Sequence, residues 1–413
     1  MKIIADLHMH SKYSRAVSPD MTLPFMGEWA LKKGIKLLGT SDWTHPKWLS
    51  EIKSNLIEKN DGLYSLKKNS SEVLFLLTTE ISSIYKEGGK LRRIHNLIFA
   101  PNIETAQKIN AELVTRGCNL KSDGRPIIGL SARNLAELVF SISEKCLIVP
   151  AHIWTPWFSL YGSMSGFDSM EEAYGEFAKY IYGIETGLSS DPLMNWRIKE
   201  LDSRSILSNS DSHSGAKLGR EATIFELKNI SFLGLRNAII NGTIDRTIEF
   251  YPEEGKYHYS GHRKCKIRQI VGGTCPVCGK PLTAGVMQRV EKLAGRSEEE
   301  ALKYGTSKRP GFTKLVSLNK IIAESLGVGE TSKKIAVIYE KLIKDFGNEL
   351  IILMYVSVSE ISKKSSEIIG EGILKVRKGD IVIEPGFDGE FGIVKIWGKK
   401  STETLTSGQM SIL

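Results

Sequence analysis

The chain has 413 residues, 41% of them hydrophobic and 25% charged, with a formal net charge of +9. That length accommodates two or three domains with sizeable cores, and the composition is that of an ordinary globular protein. No apolar run is long enough for a membrane-spanning helix, no secretory leader is expected from the few apolar residues between Lys2 and Asp6, and the five cysteines do not resemble a secreted disulfide framework. A reducing cytoplasm is the expected compartment. The charge is unevenly spread. Most of the excess falls after residue 250, and 255–290 holds Lys256, Arg263, Lys264, Lys266, Arg268, Lys280 and Arg289 with no carboxylate. A local field of one sign suits a polyanion, against the plainer reading of a solvated basic face.

From the N-terminus, apolar runs at 2–7, 35–40, 73–79, 94–100, 146–150, 182–186, 205–209 and 223–227 read as strands. Between them, 103–116 sets Ala106, Ile109 and Leu113 at helical spacing. Ser131 can cap a helix over 132–144 with Leu135, Leu138 and Val139 on one face. Strands alternating with helices predict an α/β fold: a mostly parallel sheet closed into an irregular barrel, with its chemistry at the carboxyl ends of the strands. A break follows at Tyr251-Pro252-Glu253-Glu254-Gly255. Beyond the basic stretch, helices are predicted over 288–301, 315–325 and 331–346, then a small antiparallel sheet from 373–376, 380–383 and 391–397. The expected division is a barrel over 1–250, a small basic module over 251–290 and a mainly helical region with a small β element over 291–413.

Six histidines fall in the barrel, most of them just after a predicted strand: His8, His10, His45, His95, His152 and His213. Side chains at i and i+2 on a strand share a face, so His8 and His10 can reach one ion, with Asp6 beside them. Asp211 and His213 repeat that spacing, and Glu80 follows another strand. One histidine at a strand end is usually structural. Several converging with acids point to a metal centre suited to zinc, manganese or iron.

A second metal pattern follows. His262-x2-Cys265-x9-Cys275-x2-Cys278 has zinc-ligand spacing, and Pro276 and Gly279 shape a knuckle around the last pair. His258 is the alternative fourth ligand. Four protein ligands close the coordination sphere, so this zinc is expected to be structural and to turn the basic stretch into a rigid phosphate-binding surface that includes Lys264, Lys266 and Arg268.

The order Asp6-x-His8-x-His10, Ser41-Asp42, Glu80, His95, Pro150-Ala151-His152 and Asp211-x-His213 resembles the PHP (polymerase and histidinol phosphatase) superfamily over residues 1 to about 230. That resemblance implies a distorted (β/α)7 barrel and multi-metal hydrolysis of phosphate esters, with zinc, manganese, magnesium or iron in the site. It implies one ion on His8, His10, Glu80 and Asp211, a second held by Glu80, His95 and His152, and a third on His213 near Asp42. Two departures stand out. Tyr13-Ser14-Arg15 lacks the histidine that many members carry after the first motif. Trp43 stands where many have His, and His45 comes two residues later, so it either replaces that ligand or touches a phosphate. Asp211, Glu80, His213 and Arg15 are the candidate catalytic residues, Arg15 as a phosphate grip or simply as a surface side chain.

The barrel, the zinc knuckle Cys-Pro-Val-Cys-Gly-Lys-Pro-Leu and the helical tail together resemble the endonuclease Q family across nearly the whole chain. The resemblance implies a DNA repair enzyme that nicks duplex DNA 5′ to a deaminated base (uracil, hypoxanthine, xanthine) or an abasic site. No GxxxxGK[ST] loop is present, which argues against a nucleotide-driven motor. Reading a small change in a base calls for flipping the nucleotide into a pocket. The aromatics Trp154, Trp157, Phe158, Tyr161 and Phe167 that follow His152 are candidates to line it, or else pack the barrel rim. Gln409-Met410-Ser411-Ile412-Leu413 resembles the start of a sliding-clamp-binding peptide without its closing aromatics. The alternatives are a PHP-type small-molecule phosphatase, which needs neither zinc knuckle nor basic tail, and a non-catalytic DNA-binding accessory protein, in which the metal ligands would have decayed.

Overall fold

The computed structural model describes residues 1–68 and 72–398; the clamp-like peptide lies outside them. Lys2–Asp6 pairs in parallel with Leu37–Gly39, which pairs in parallel with Leu74–Leu76. The chain continues through Leu77 into Thr78–Glu87, which pairs antiparallel with Lys90–Phe99, and that strand pairs antiparallel with Leu147–Pro150. Ile153 N donates to Glu185 O at 3.2 Å, leading to Gly183–Glu185, which pairs in parallel with Ser205–Leu207. The ring closes where His10 N donates to Ser212 O at 2.9 Å and Leu7 N to Asn209 Oδ1 at 2.8 Å. Counting 74–87 once, seven strands form this irregular barrel among the described residues, with 90–99 reversed.

The predicted run at 223–227 is a strand but not a stave of the ring. Ala222–Glu226 lies antiparallel to Lys2–Asp6 and then to Ile244–Glu249, and Gly311–Lys314 adds in parallel beyond. That last strand was not anticipated, because Gly311-Phe312-Thr313-Lys314 is too short to show a period.

Local chemistry sets the helix ends. Asn102 caps Ile103–Thr115 by accepting from Thr105 N, and Ser131 caps Ala132–Ile142 by accepting from Asn134 N. The expected helix at 288–301 is in fact two, Val286–Leu293 and Glu298–Lys308. Ser297 and Glu300 form a reciprocal capping box that starts the second afresh. The expected strand at 373–376 is helical instead. Ile369, Ile373 and Val376 form the buried stripe of Glu367–Lys378, which ends at Gly379 in the left-handed region. The β element is the hairpin Val382–Glu384 with Ile393–Lys395. None of the described helices is long and apolar enough to cross a membrane.

The helical region docks on the barrel through a buried ion pair. Lys33 Nζ, at the end of the helix Leu23–Lys33, lies 2.6 Å from Glu349 Oε2. The same carboxylate accepts from Tyr339 OH at 2.8 Å and from Leu318 N at 3.1 Å. Both its oxygens are engaged, so removing one partner strands a buried charge. Glu349→Ala is expected to lower unfolding free energy by about 3–5 kcal/mol in urea titrations, whereas the double change Lys33→Met with Glu349→Leu should cost far less.

Candidate metal centre

His8 and His10 project from the end of the first strand into the barrel mouth and are fully buried. His8 Nε2, His10 Nε2 and Asp211 Oδ1 are buried atoms without a hydrogen-bond partner. They face one another across Glu80: His10 Nε2 lies 3.1 Å from Glu80 Oε2 and 3.2 Å from Asp211 Oδ1, and His8 Nε2 lies 3.4 and 3.6 Å from the same two atoms. Orphaned imidazole nitrogens and a carboxylate oxygen aimed at one point fit a divalent cation. The other Glu80 oxygen faces His95 Nδ1 at 2.6 Å and His152 Nε2 at 3.2 Å. Among the described residues the barrel thus offers two donor groups, His8/His10/Glu80/Asp211 and Glu80/His95/His152, joined by one glutamate.

The outer nitrogens of the first pair are held as metal-binding histidines usually are. His8 Nδ1 is 3.0 Å from both oxygens of Glu185, which also accepts from His152 N and Asn209 Nδ2. His10 Nδ1 is 3.2 Å from Asp42 Oδ1. Asp42 accepts in addition from Ser11 N, Ser11 Oγ and Ser14 Oγ, so in this structure it orients His10 and belongs to neither donor group. Gly124 presses on it, since a Cβ there would come within 2.3 Å of Asp42 Oδ2. Asp6 plays a scaffold part, accepting from Ser210 N and Gly219 N. Ser11, Ser14 and Gly124 carried no signal in the sequence, because their role depends on contacts across distant segments.

His213 and His45 also stand outside both groups. His213 Nδ1 lies 2.9 Å from Asp211 O, its ring 4.8 Å from that of His10 at the open side of the mouth. His45 Nε2 meets Lys121 O at 3.3 Å, and its ring stacks on Tyr13. No third donor group built on Asp42 and His213 occurs among the described residues.

The electrostatics follow from crowding acids and bases in a dry space. Burial alone would lower the His8 and His10 pKa values. Glu185, Glu80 and Asp211 around His8, and Asp211, Asp42 and Glu80 around His10, hold both well above the ordinary imidazole value. Burial would raise Glu80, but His95, Arg125, His8 and His10 keep it well below the usual carboxylate range. Burial pushes His95 down to about 4 against the pull of Glu80. Backbone strain concentrates here too: Asp42, His152, Asp211 and Phe158 have φ of 40°, 32°, 46° and 63°. Non-glycine residues rarely take such values except where their surroundings over-determine them.

Beside the donor groups is a cavity of about 460 Å³ lined by Arg15, Ser82, Asp123, Arg125, Trp157 and Phe158 together with His95, His152 and Asp211. Arg15 reaches it as an exposed side chain, its Nε 3.4 Å from Asp123 Oδ2. Of the aromatics after His152, Phe158 and Trp157 line the cavity. Trp154, Tyr161 and Phe167 do not: Trp154 Nε1 donates to Asn195, Tyr161 OH donates to Glu200, and Phe167 packs under Arg92. Trp154 and Tyr161 pack inward because the polar edge of each finds an internal partner, and Phe167 because Arg92 covers its ring.

The knuckle places His262, Cys265, Cys275 and Cys278 within 4.8 Å of one another, with Cys278 Sγ 3.3 Å from His262 Nδ1. His258 is buried elsewhere against Tyr259. Burial would raise the Cys275 thiol, but the amides of Cys278 and Val277 and the side chain of His262 bring it down to about 6, as a thiolate ligand requires. The basic face is partly paired: Lys266 meets Glu390 at 2.7 Å and Arg268 lies 3.9 Å from Glu384, both on the C-terminal hairpin, whereas Lys264 is exposed. The helix after the knuckle grips the barrel. Arg289, buried, donates to Tyr161 O at 2.8 Å, Phe167 O at 2.6 Å and Asp168 Oδ1 at 2.5 Å. It thereby fixes the loop whose Phe158 O accepts from His95 N. Arg289→Leu is expected to speed amide hydrogen exchange across residues 154–168 by at least about tenfold, from loss of about 1.5–3 kcal/mol per charged hydrogen bond, while the exchange of 318–354 is unchanged.

Residues 317–380 match the family described as the MJ0043 C-terminal domain. The chain is 34% identical over 261 residues to the uncharacterized protein MJ0043 of Methanocaldococcus jannaschii; the match covers 60% of this chain but 32% of that protein, about a third of its length. The crystal structure of the lesion-specific endonuclease PfuEndoQ from Pyrococcus furiosus superposes with a TM-score of 0.84 at 32% identity, covering 100% of both chains. A structure of endonuclease Q in complex with a 27-mer duplex substrate carrying an abasic lesion at its active site gives 0.82 at 32% identity, over 98% of this chain and 100% of that one. With a third of its residues identical along the full length of both chains, the protein belongs to the endonuclease Q family.

Proposed function

We propose that this protein is a metal-dependent DNA repair endonuclease that hydrolyses the phosphodiester 5′ to a deaminated base or an abasic site in duplex DNA. The observation that carries this reading is the pair of donor groups sharing Glu80 beside a cavity open to a nucleotide. His8, His10, Glu80 and Asp211 would hold one ion, and Glu80, His95 and His152 a second; zinc, manganese, magnesium and iron are the candidates. Such ions supply Lewis-acid charge and a water acidic enough to attack at neutral pH. The chain's own part is positional. Glu185 and Asp42 fix the tautomers of His8 and His10 so that Nε2 of each faces inward. His213, at the open side of the mouth, is placed to exchange a proton with an attacking or departing oxygen, and Arg15 to meet the backbone of the bound strand.

In this reading 1–250 performs the chemistry, 251–290 is a module made rigid by a structural zinc on His262, Cys265, Cys275 and Cys278, and 291–413 braces both. Lys264, with Lys266 and Arg268 where their pairs open, lies along the path of the duplex. The flipped nucleotide would enter the cavity beside the half-buried rings of Phe158 and Trp157, which line it and would offer it a stacking surface. A cytoplasmic location agrees with a DNA substrate and a thiolate-rich knuckle. A sliding clamp as partner of 409–413 stays a separate proposal, tested by clamp pull-down with and without those five residues.

Two measurements test the core of this. With duplex oligonucleotides containing uracil, hypoxanthine, an abasic site or no lesion, a nick 5′ to the lesion is expected only in the first three. It should disappear with EDTA and with Asp211→Asn; release of phosphate from monoesters with no nicking would instead favour a phosphatase. Phe158→Ala is expected to lower the ratio of lesion to undamaged cutting by about tenfold, the worth of one base–aromatic stack of about 1–3 kcal/mol. Tyr161→Ala should lower thermal stability and leave that ratio alone.

A further inference from the structure

Arg125 lies in the segment between the helix Ile103–Thr115 and the short strand Ile127–Ile128, and nothing in the sequence singled it out. Its Nη1 is 3.2 Å from Glu80 Oε2, the oxygen that also faces His8 and His10. Its side chain is 28% exposed, and the exposed part lines the cavity that holds Asp211, His95 and His152. The segment has little freedom. Arg125 N donates to Asp123 Oδ1 at 3.1 Å, Ser82 N donates to Pro126 O at 3.0 Å, and Gly124 is wedged against Asp42 and Ser14.

The charge balance gives this placement meaning. Glu80 is the counter-charge of Arg125 and also the one residue common to both donor groups. A carboxylate whose lone pairs face cations has little left for a guanidinium, and a planar fork of donors next to that cluster then needs an anion from outside. The cavity is where that anion would sit. We propose that Arg125 is a catalytic residue that holds a non-bridging oxygen of the scissile phosphodiester by a charge-assisted hydrogen bond, and that Glu80 seats it when the donor groups hold no cation. The role rests on the phosphodiesterase reading above, and it differs from the one expected of Arg15, whose side chain is 77% exposed. No atom is transferred to or from Arg125: its N–H groups stay bonded while negative charge builds on the oxygen they face, and the gain is greatest where that charge is greatest.

The test uses the full-length, metal-loaded protein and three measurements. Arg125→Ala and Arg125→Lys are assayed on an abasic duplex and on bis(p-nitrophenyl) phosphate; inorganic phosphate serves as an inhibitor; bound metal is counted by mass spectrometry. We expect kcat to fall by about 10²–10³-fold on both substrates, phosphate to inhibit at least about tenfold more weakly, and the metal count to match that of the parent. Replacing the contacted non-bridging oxygen by sulfur should slow the parent enzyme but no longer slow Arg125→Ala further. An unchanged sulfur effect, unchanged phosphate inhibition, or a loss of rate that tracks loss of metal overturns the assignment. If the parent protein hydrolyses the small diester but nicks no damaged duplex, the lesion reading fails while the Arg125 assignment is still decided by the phosphate and small-diester data.

Discussion

One buried carboxylate organises the barrel mouth. Glu80, itself buried, stands within 3.4 Å of His8, His10, His95, His152 and Arg125. Were Glu80 neutral, His95, His152 and Arg125 would lose the carboxylate they face, and His8 and His10 would keep only Asp211 on their inner side. With the carboxylate ionised, the strands that carry these residues are drawn to one point. The reversed strand Lys90–Phe99 is part of the same arrangement. It delivers His95 from mid-strand, directly across the ladder from Ser82 and two residues beyond Glu80 on the partner strand.

Around that centre the structure invests in rigidity. Glu185 and Asp42 hold the far sides of the inner imidazoles, and the serines around Asp42 leave its oxygens no other orientation. Positive φ at Asp42, His152, Asp211 and Phe158 is tolerated only because these contacts fix the backbone. The knuckle module contributes from outside through Arg289, so a part of the chain with almost no apolar core of its own stabilises a loop at the chemical centre. The hairpin near the C-terminus in turn neutralises part of the module's charge through Glu390 and Glu384.

Much of this was legible in the sequence. Residue type and spacing alone singled out His8, His10, His95, His152, Glu80 and Asp211, which the fold brings into two candidate donor groups, and the Cys/His knuckle, which it brings into a third. Helices capped by Ser131 and Asn102 lie where the apolar spacing put them, because local hydrogen bonds decide their ends. What stayed hidden depends on contacts between segments far apart in the chain. Asp42 reads as a ligand until Ser11, Ser14 and Gly124 are seen around it. Arg125 has no motif; only the fold brings it to Glu80. Tyr161 and Phe167 look like a reading surface until their partners draw them inward. The stretch 373–376 was read as extended because four apolar-rich residues carry too little periodicity to separate strand from helix.

The strand Gly311–Lys314 bears on how the polypeptide is made. It completes the sheet alongside Ile244–Glu249, and Lys314 sits 2.8 Å from Asp191 within the barrel, yet the entire knuckle lies between the two strands in the chain. A nascent product that has reached residue 250 therefore displays a bare strand edge and a buried acid awaiting its cation. Such an intermediate is prone to pair with a neighbour on the same message. The ring itself is complete by Ser212, but translation has to run past the knuckle before the sheet edge along Ile244–Glu249 is covered.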